Sequence, residues 1–125
     1  MMDQPSALEL VTAVKEFIEK HAMPQLSGHT AFHARVAANA LGIVARELEF
    51  GPRANAEEKM RLEAMLGISG SLEELNSELC RRIRSGELGV EAPGLSGHMR
   101  ATTMDKVGID QPTYSGFKAA QKKES

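Results

Sequence analysis

Between Thr30 and Leu48 only Arg35, Arg46 and Glu47 carry a full charge. No other part of the chain is as restrictive. Wound as a helix at about 100° per residue, the stretch from His29 to Phe50 is apolar over most of its circumference. Phe32, Val36, Ala37, Ala40, Leu41, Ile43, Val44 and Leu48 form one broad arc, and Ala31, Ala34, Ala38 and Ala45 extend it. Arg35, Asn39, Gly42 and Arg46 make a narrow polar stripe. A helix apolar almost all round is normally a buried one. The spacing therefore predicts an all-α protein: a compact bundle of about five helices around a buried central helix at about 29–50.

At 125 residues the chain is expected to form one domain and to bury roughly two thirds of its unfolded surface. That is enough for a core without disulfides or metal. The net charge of −2 gives no global attraction to nucleic acid or to an anionic membrane. No apolar run approaches the roughly 18 residues of a membrane span. The N-terminal MMDQPSALEL lacks the pattern of a signal peptide, and Cys80 is the one cysteine. These features together predict a cytoplasmic location.

Residues 1–5 read as a flexible lead, residues 6–116 as a single helical-bundle domain and residues 117–125 as a charged tail. Ser6 and Glu9 have the spacing of a capping box opening an amphipathic helix to about Ala22. Pro24 stops that helix, and the central helix is expected to end before Gly51-Pro52. Asn55 with Glu58 and Ser71 with Glu74 repeat the capping-box spacing. They predict a short helix to Gly67 and another to Ser85-Gly86 that buries Leu72, Leu75, Leu79 and Ile83. A further helix is expected from near Pro93 to about Gly108, with Leu95, Met99, Thr102, Thr103, Lys106 and Val107 inward.

Chemistry-bearing motifs are sparse. His29 and His33 share a helical face, but zinc needs at least a third ligand, and no Glu-x-x-His is present. No metal or cofactor is expected. Gly67-Ile68-Ser69-Gly70-Ser71 precedes a helix N-terminus, where phosphate can bind. Glu73 and Glu74 in that first turn would repel it. The same acidic turn disfavours a DNA-reading helix. Cys80 lies beside an apolar arc and reads as an inert buried thiol.

Polar residues at positions that should pack are more informative. Asn76 falls on the Leu72/Leu79/Ile83 arc, Thr102 and Lys106 fall on the inner arc of the last helix, and Arg35 and Asn39 share one side of the central helix. Such groups need partners when buried. They form either an internal hydrogen-bond network or a surface for a ligand or partner.

Three stretches carry a family resemblance: Phe32-His33-Ala34-Arg35-Val36-Ala37-Ala38-Asn39-Ala40-Leu41, Leu79-Cys80-Arg81-Arg82-Ile83-Arg84-Ser85-Gly86, and Met99-Arg100-Ala101-Thr102 continuing to Asp110-Gln111-Pro112-Thr113-Tyr114-Ser115-Gly116. With Pro5 to Leu10 they resemble the DUF6285-type small helical proteins of bacteria, a domain of unknown function. Gly108 stands where a larger helix former is expected. The resemblance implies association with an aminoglycoside-phosphotransferase-like kinase and with an acyl-CoA dehydrogenase-like enzyme. It also implies the role of a small accessory subunit in hydroxyacyl-CoA catabolism of the levulinate type. The family supplies no catalytic residues to carry over.

The leading expectation is thus a non-catalytic activating subunit of such a kinase. The alternatives are a small helical module that binds acyl-CoA itself and a small helical enzyme using His33. Partner or ligand contacts are expected from His33, Arg35, Asn39, Asn76, Arg100, Lys106 and Tyr114. No nucleic acid or membrane partner is expected, and a homo-oligomer is left open.

Overall fold

The Ser6 hydroxyl accepts the Glu9 backbone N–H at 3.1 Å, and the Glu9 carboxylate accepts the Ser6 N–H at 3.2 Å. This reciprocal cap starts α1 (Ala7–Phe17) in the computed structural model, which describes residues 4–124. The lead expected at 1–5 therefore lies largely outside the described residues, as does Ser125. The fold class is as expected. Five α-helices are present, and there is no strand among the described residues.

The second helix departs from expectation. The chain does not break at Gly51-Pro52 and restart at Asn55. A single helix, α2 (Gly28–Leu66), runs through with Pro52 inside it. A proline in a helix interior removes one N–H donor and crowds the carbonyl four residues back, at a cost of about 3 kcal/mol. Burial on either side offsets that cost: Ala38 and Gly42 are covered before the proline, and Glu58, Leu62 and Leu66 after it. Contacts divide the chain at the same place, into Met1–Gly51 and Pro52–Ser125.

In the first unit, α1 is followed by one π-helical turn (Ile18–Ala22) and a short 3-10 turn (Met23–Gln25). The expected helix to Ala22 is thus helical throughout but changes its winding after Phe17. The Lys15 side chain of α1 lies across α2 at Gly42, where a Cβ would stand 3.2 Å from its Cε. The covered side of α2 is its small-residue side. Ala38 and Gly42 are buried, and Ala31, Ala34, Leu41 and Ala45 are half-buried. Most of the broad arc expected in the interior is instead uncovered: Phe32 is 61% exposed, and Val36, Ala37, Ala40, Val44 and Leu48 are also exposed, while Leu41 and Ile43 are half-buried. Small side chains let another segment come close and make many atom contacts, which the bulky arc does not permit.

In the second unit, Leu62 and Leu66 of α2 meet Leu75 and Leu79 of α3 (Leu72–Ser85) and Leu95 of α4 (Leu95–Asp110). Met65, Leu72, Leu88 and Ala92 pack around this core. The Ser71/Glu74 capping box opens α3 as expected, and Gly86 at φ 84° closes it in the left-handed conformation that glycine tolerates. Ile83, expected inside, is exposed at the end of the helix, and Cys80 is exposed rather than buried.

The segment expected as a charged tail forms α5 (Ser115–Glu124). Phe117 anchors it. Its ring lies 3.1 Å from where a Cβ on Gly108 would stand, so the missing side chain on α4 is the seat of α5.

Candidate functional site

The inward stripe of α4 follows a spacing of three and four: Leu95, His98, Thr102, Asp105 and Ile109 are buried or half-buried. Three of the five are polar, so a search for apolar periodicity misses the stripe. Lys106, Met99 and Thr103, expected inward, are exposed, while Thr102 is half-buried as expected.

Opposite this stripe, α2 supplies Arg61. Its Nε donates to Nδ1 of His98 at 3.1 Å, and its Nη2 donates to the Thr102 hydroxyl at 3.1 Å. His98 is only 3% exposed. Since Nδ1 accepts, the neutral ring carries its proton on Nε2. Burial pushes the imidazole below its ordinary pKa. The Arg61 charge acts in the same direction, and Glu58 opposes both.

One turn earlier on α2, the buried Glu58 accepts from Nδ2 of Asn76 at 3.4 Å, and the same amide donates to the Leu72 carbonyl at 3.1 Å. Glu58 had the spacing of a helix cap, but inside a continuous helix it serves as a buried acceptor. A cavity of about 470 Å³ lies beside the cluster, lined by Arg61, Ala64, Met65, Pro93, Gly94, Gly97 and His98.

Of the residues expected to make contacts, Asn76 alone belongs to this cluster. Arg100 is exposed and pairs with Glu124 at 2.7 Å, joining α4 to α5. Tyr114 is exposed and lines a second cavity of about 360 Å³ together with Arg100, Met99, Met104, Val107 and Phe117. Lys106 is exposed on α4. His33, Arg35 and Asn39 lie in the first unit and are all exposed, with the His33 ring edge-on to Phe32 at 5.5 Å. The Arg35/Asn39 pair is therefore not an internal network.

Arg61, Glu58 and His98 were not foreseen as a site. On the predicted short helix Glu58 has the spacing of a cap residue and Arg61 carries no local signal. His98 lies on the last predicted helix but off its expected inner arc. Among the described residues no three His, Cys, Asp or Glu side chains stand together as a metal site. No described helix is long and apolar enough to cross a membrane.

No curated protein and no solved structure matches this chain. A family model, described as a domain of unknown function, DUF6285, matches residues 24–114. That span takes in Glu58, Arg61, Asn76, His98 and Thr102 and excludes α1. With most of its length matched in this way, the chain belongs to the DUF6285 family.

Proposed function

We propose that this protein is a non-catalytic accessory subunit of an aminoglycoside-phosphotransferase-like kinase acting in hydroxyacyl-CoA catabolism. The observation that carries the reading is the uncovered apolar surface of the first unit. Leu10, Val14 and Phe17 on α1 and Phe32, Val36, Val44 and Leu48 on α2 are all exposed, Phe17 by 59%. A chain that functions alone rarely presents so much large apolar side chain on one helix pair, whereas a chain that docks on another protein does. The kinase identity rests on the sequence resemblance, and an acyl-CoA dehydrogenase-like enzyme is the further partner it suggests.

Phosphoryl transfer depends on positioning and charge stabilisation, so a second chain helps by holding a kinase lobe or by lending a cation. The test is co-expression with the kinase, size-exclusion chromatography, and kinase assays with and without this chain. Val14→Glu and Val36→Glu should abolish co-elution and activation while circular dichroism stays helical. Arg35→Ala, on the exposed side of α2, should weaken activation. Normal co-elution by both glutamate variants would remove the reading.

A second reading has its own observation. The cavity between α4 and α5 has apolar walls from Met99, Met104, Val107, Phe117 and Ala120, with Arg100 beside them. That combination suits an acyl chain with an anionic end. If the protein binds acyl-CoA itself, a CoA thioester should raise its melting temperature, and less so in Arg100→Ala. No shift with millimolar thioester would remove this alternative.

A further inference from the structure

Arg61 sits half-buried with no ion-pair partner among the described residues. A guanidinium has five N–H donors. Here Nε and one N–H of Nη2 are used, both on the neutral acceptors His98 and Thr102. A partly desolvated cation that makes no direct ion pair keeps donors available for an anion that reaches it.

His98 presents a second unspent donor. Its Nε2–H has no acceptor among the described residues. No sealed side-chain nitrogen or oxygen among them lacks a partner either. The Nε2 side of this almost fully buried ring therefore has access to open space, and the space His98 borders is the 470 Å³ cavity it shares with Arg61. The other walls are Ala64, Met65 and Pro93, with Gly94 and Gly97 leaving room where side chains would stand.

We propose that this cavity binds a short-chain organic carboxylate, with the anion held by Arg61 and the Nε2–H of His98 and the chain lying along Ala64, Met65 and Pro93. Charge count selects a carboxylate over a phosphate. The site offers one full positive charge and a neutral imidazole, with the Glu58 carboxylate on the same helix one turn away. The single guanidinium charge matches one negative charge at the point of contact, and the nearby Glu58 carboxylate repels a second one. The first turn of α4, which has no side-chain cap, adds a partial positive charge to the same cavity. The site shares no residue with the exposed apolar side chains of the first unit, so the proposal stands whether or not a kinase is the partner.

Hexanoate, hexanamide and inorganic phosphate are the probes, read by the imidazole nitrogen resonances of His98 in the intact chain and by thermal denaturation. Hexanoate should shift the Nε2 signal saturably and raise the melting temperature. Hexanamide, of the same shape without the charge, should do neither, and phosphate should bind at least about tenfold more weakly. Arg61→Gln should weaken hexanoate by about tenfold or more. Gly97→Met provides a test independent of the cluster. Gly97 lines the cavity and a Cβ there meets nothing within 4 Å, so a side chain can be added at its wall without an initial clash. It should abolish hexanoate binding while the helical signal is kept. Absence of a saturable His98 shift in the wild-type chain at tens of millimolar hexanoate overturns the proposal. Equal binding of hexanamide, tighter binding of phosphate, or undiminished binding in a folded Gly97→Met overturns it as well.

Discussion

Arg61 and His98, thirty-seven positions apart, are joined by a 3.1 Å hydrogen bond from the guanidinium Nε to Nδ1 of the imidazole. The bond needs an unprotonated Nδ1, so it favours the neutral ring. It also ties α2 to α4 through two side chains, one of which, the Arg61 guanidinium, adds to burial in holding the other neutral.

The first prediction concerns pH. Between its lowered folded-state pKa and its unfolded value, His98 binds fewer protons in the folded chain than in the unfolded one. Its contribution is fully present above about pH 6.5 and is lost as pH falls through the folded value. Urea midpoints should therefore drop from about pH 7.5 to about pH 5.5, and His98→Gln should flatten that slope. Glu78 and Glu87 are held low chiefly by hydrogen bonds from Arg81, and Glu74 by the Ser71 N–H. They lose their contributions from about their ordinary value of 4.5 downward, in more acidic solution than His98, so the two effects separate. An equal slope in wild type and His98→Gln would show that His98 is not the titrating group.

The core of the second unit should respond strongly to truncation. Leu62 and Leu75 are fully buried, so Leu62→Ala or Leu75→Ala should each cost ~2–5 kcal/mol in chemical denaturation. Ile43 is only half-buried, and Ile43→Ala should cost less than either.

Pro52→Ala should stabilise the protein. Alanine restores one helical N–H and removes the ring clash, a gain of up to ~3 kcal/mol. The unfolded chain becomes freer at the same time, which takes back up to ~1 kcal/mol. The net expectation is a gain of about 2 kcal/mol, read as a raised melting temperature. A fall would mean that the proline makes a contact the fold needs.

Gly42 tests the approach of α1 to α2. The nearest neighbour to an added Cβ is the far end of Lys15, which can swing aside. Gly42→Ala should be neutral or slightly stabilising, because alanine is the better helix former. Gly42→Leu should push α1 away, and amide exchange in Ala7–Phe17 should accelerate selectively.

The parts of this fold legible in the sequence were those set by local chemistry. Ser6 with Glu9 and Ser71 with Glu74 form the caps their spacing predicts, and Gly67 and Gly86 end helices in the left-handed conformation. What failed depended on contacts distant in sequence. Pro52 reads as a stop locally, yet packing before and after it carries the helix through. Lys118 to Glu124 reads as a polar tail, yet Phe117 has a seat at Gly108, nine positions back on α4, where a missing side chain gives no apolar signal. The Arg61–His98–Thr102 cluster was hidden for a different reason. Arg61 and His98 are polar and lie off the apolar arcs, so only Thr102, on the inner arc of α4, is marked by its spacing. Asn76 is legible because its neighbours at that spacing are leucine and isoleucine.

Helix α2 fits its covered side with alanine and glycine and presents phenylalanine and valine outward. Two sets of demands are thereby assigned to opposite sides of one helix. Side-chain size at Ala38 and Gly42 answers to this chain's own folding. Hydrophobicity at Phe32 and Val36 answers to whatever meets the surface. Association can therefore be weakened by substitutions that the isolated chain barely registers, and the two properties can diverge independently among its relatives.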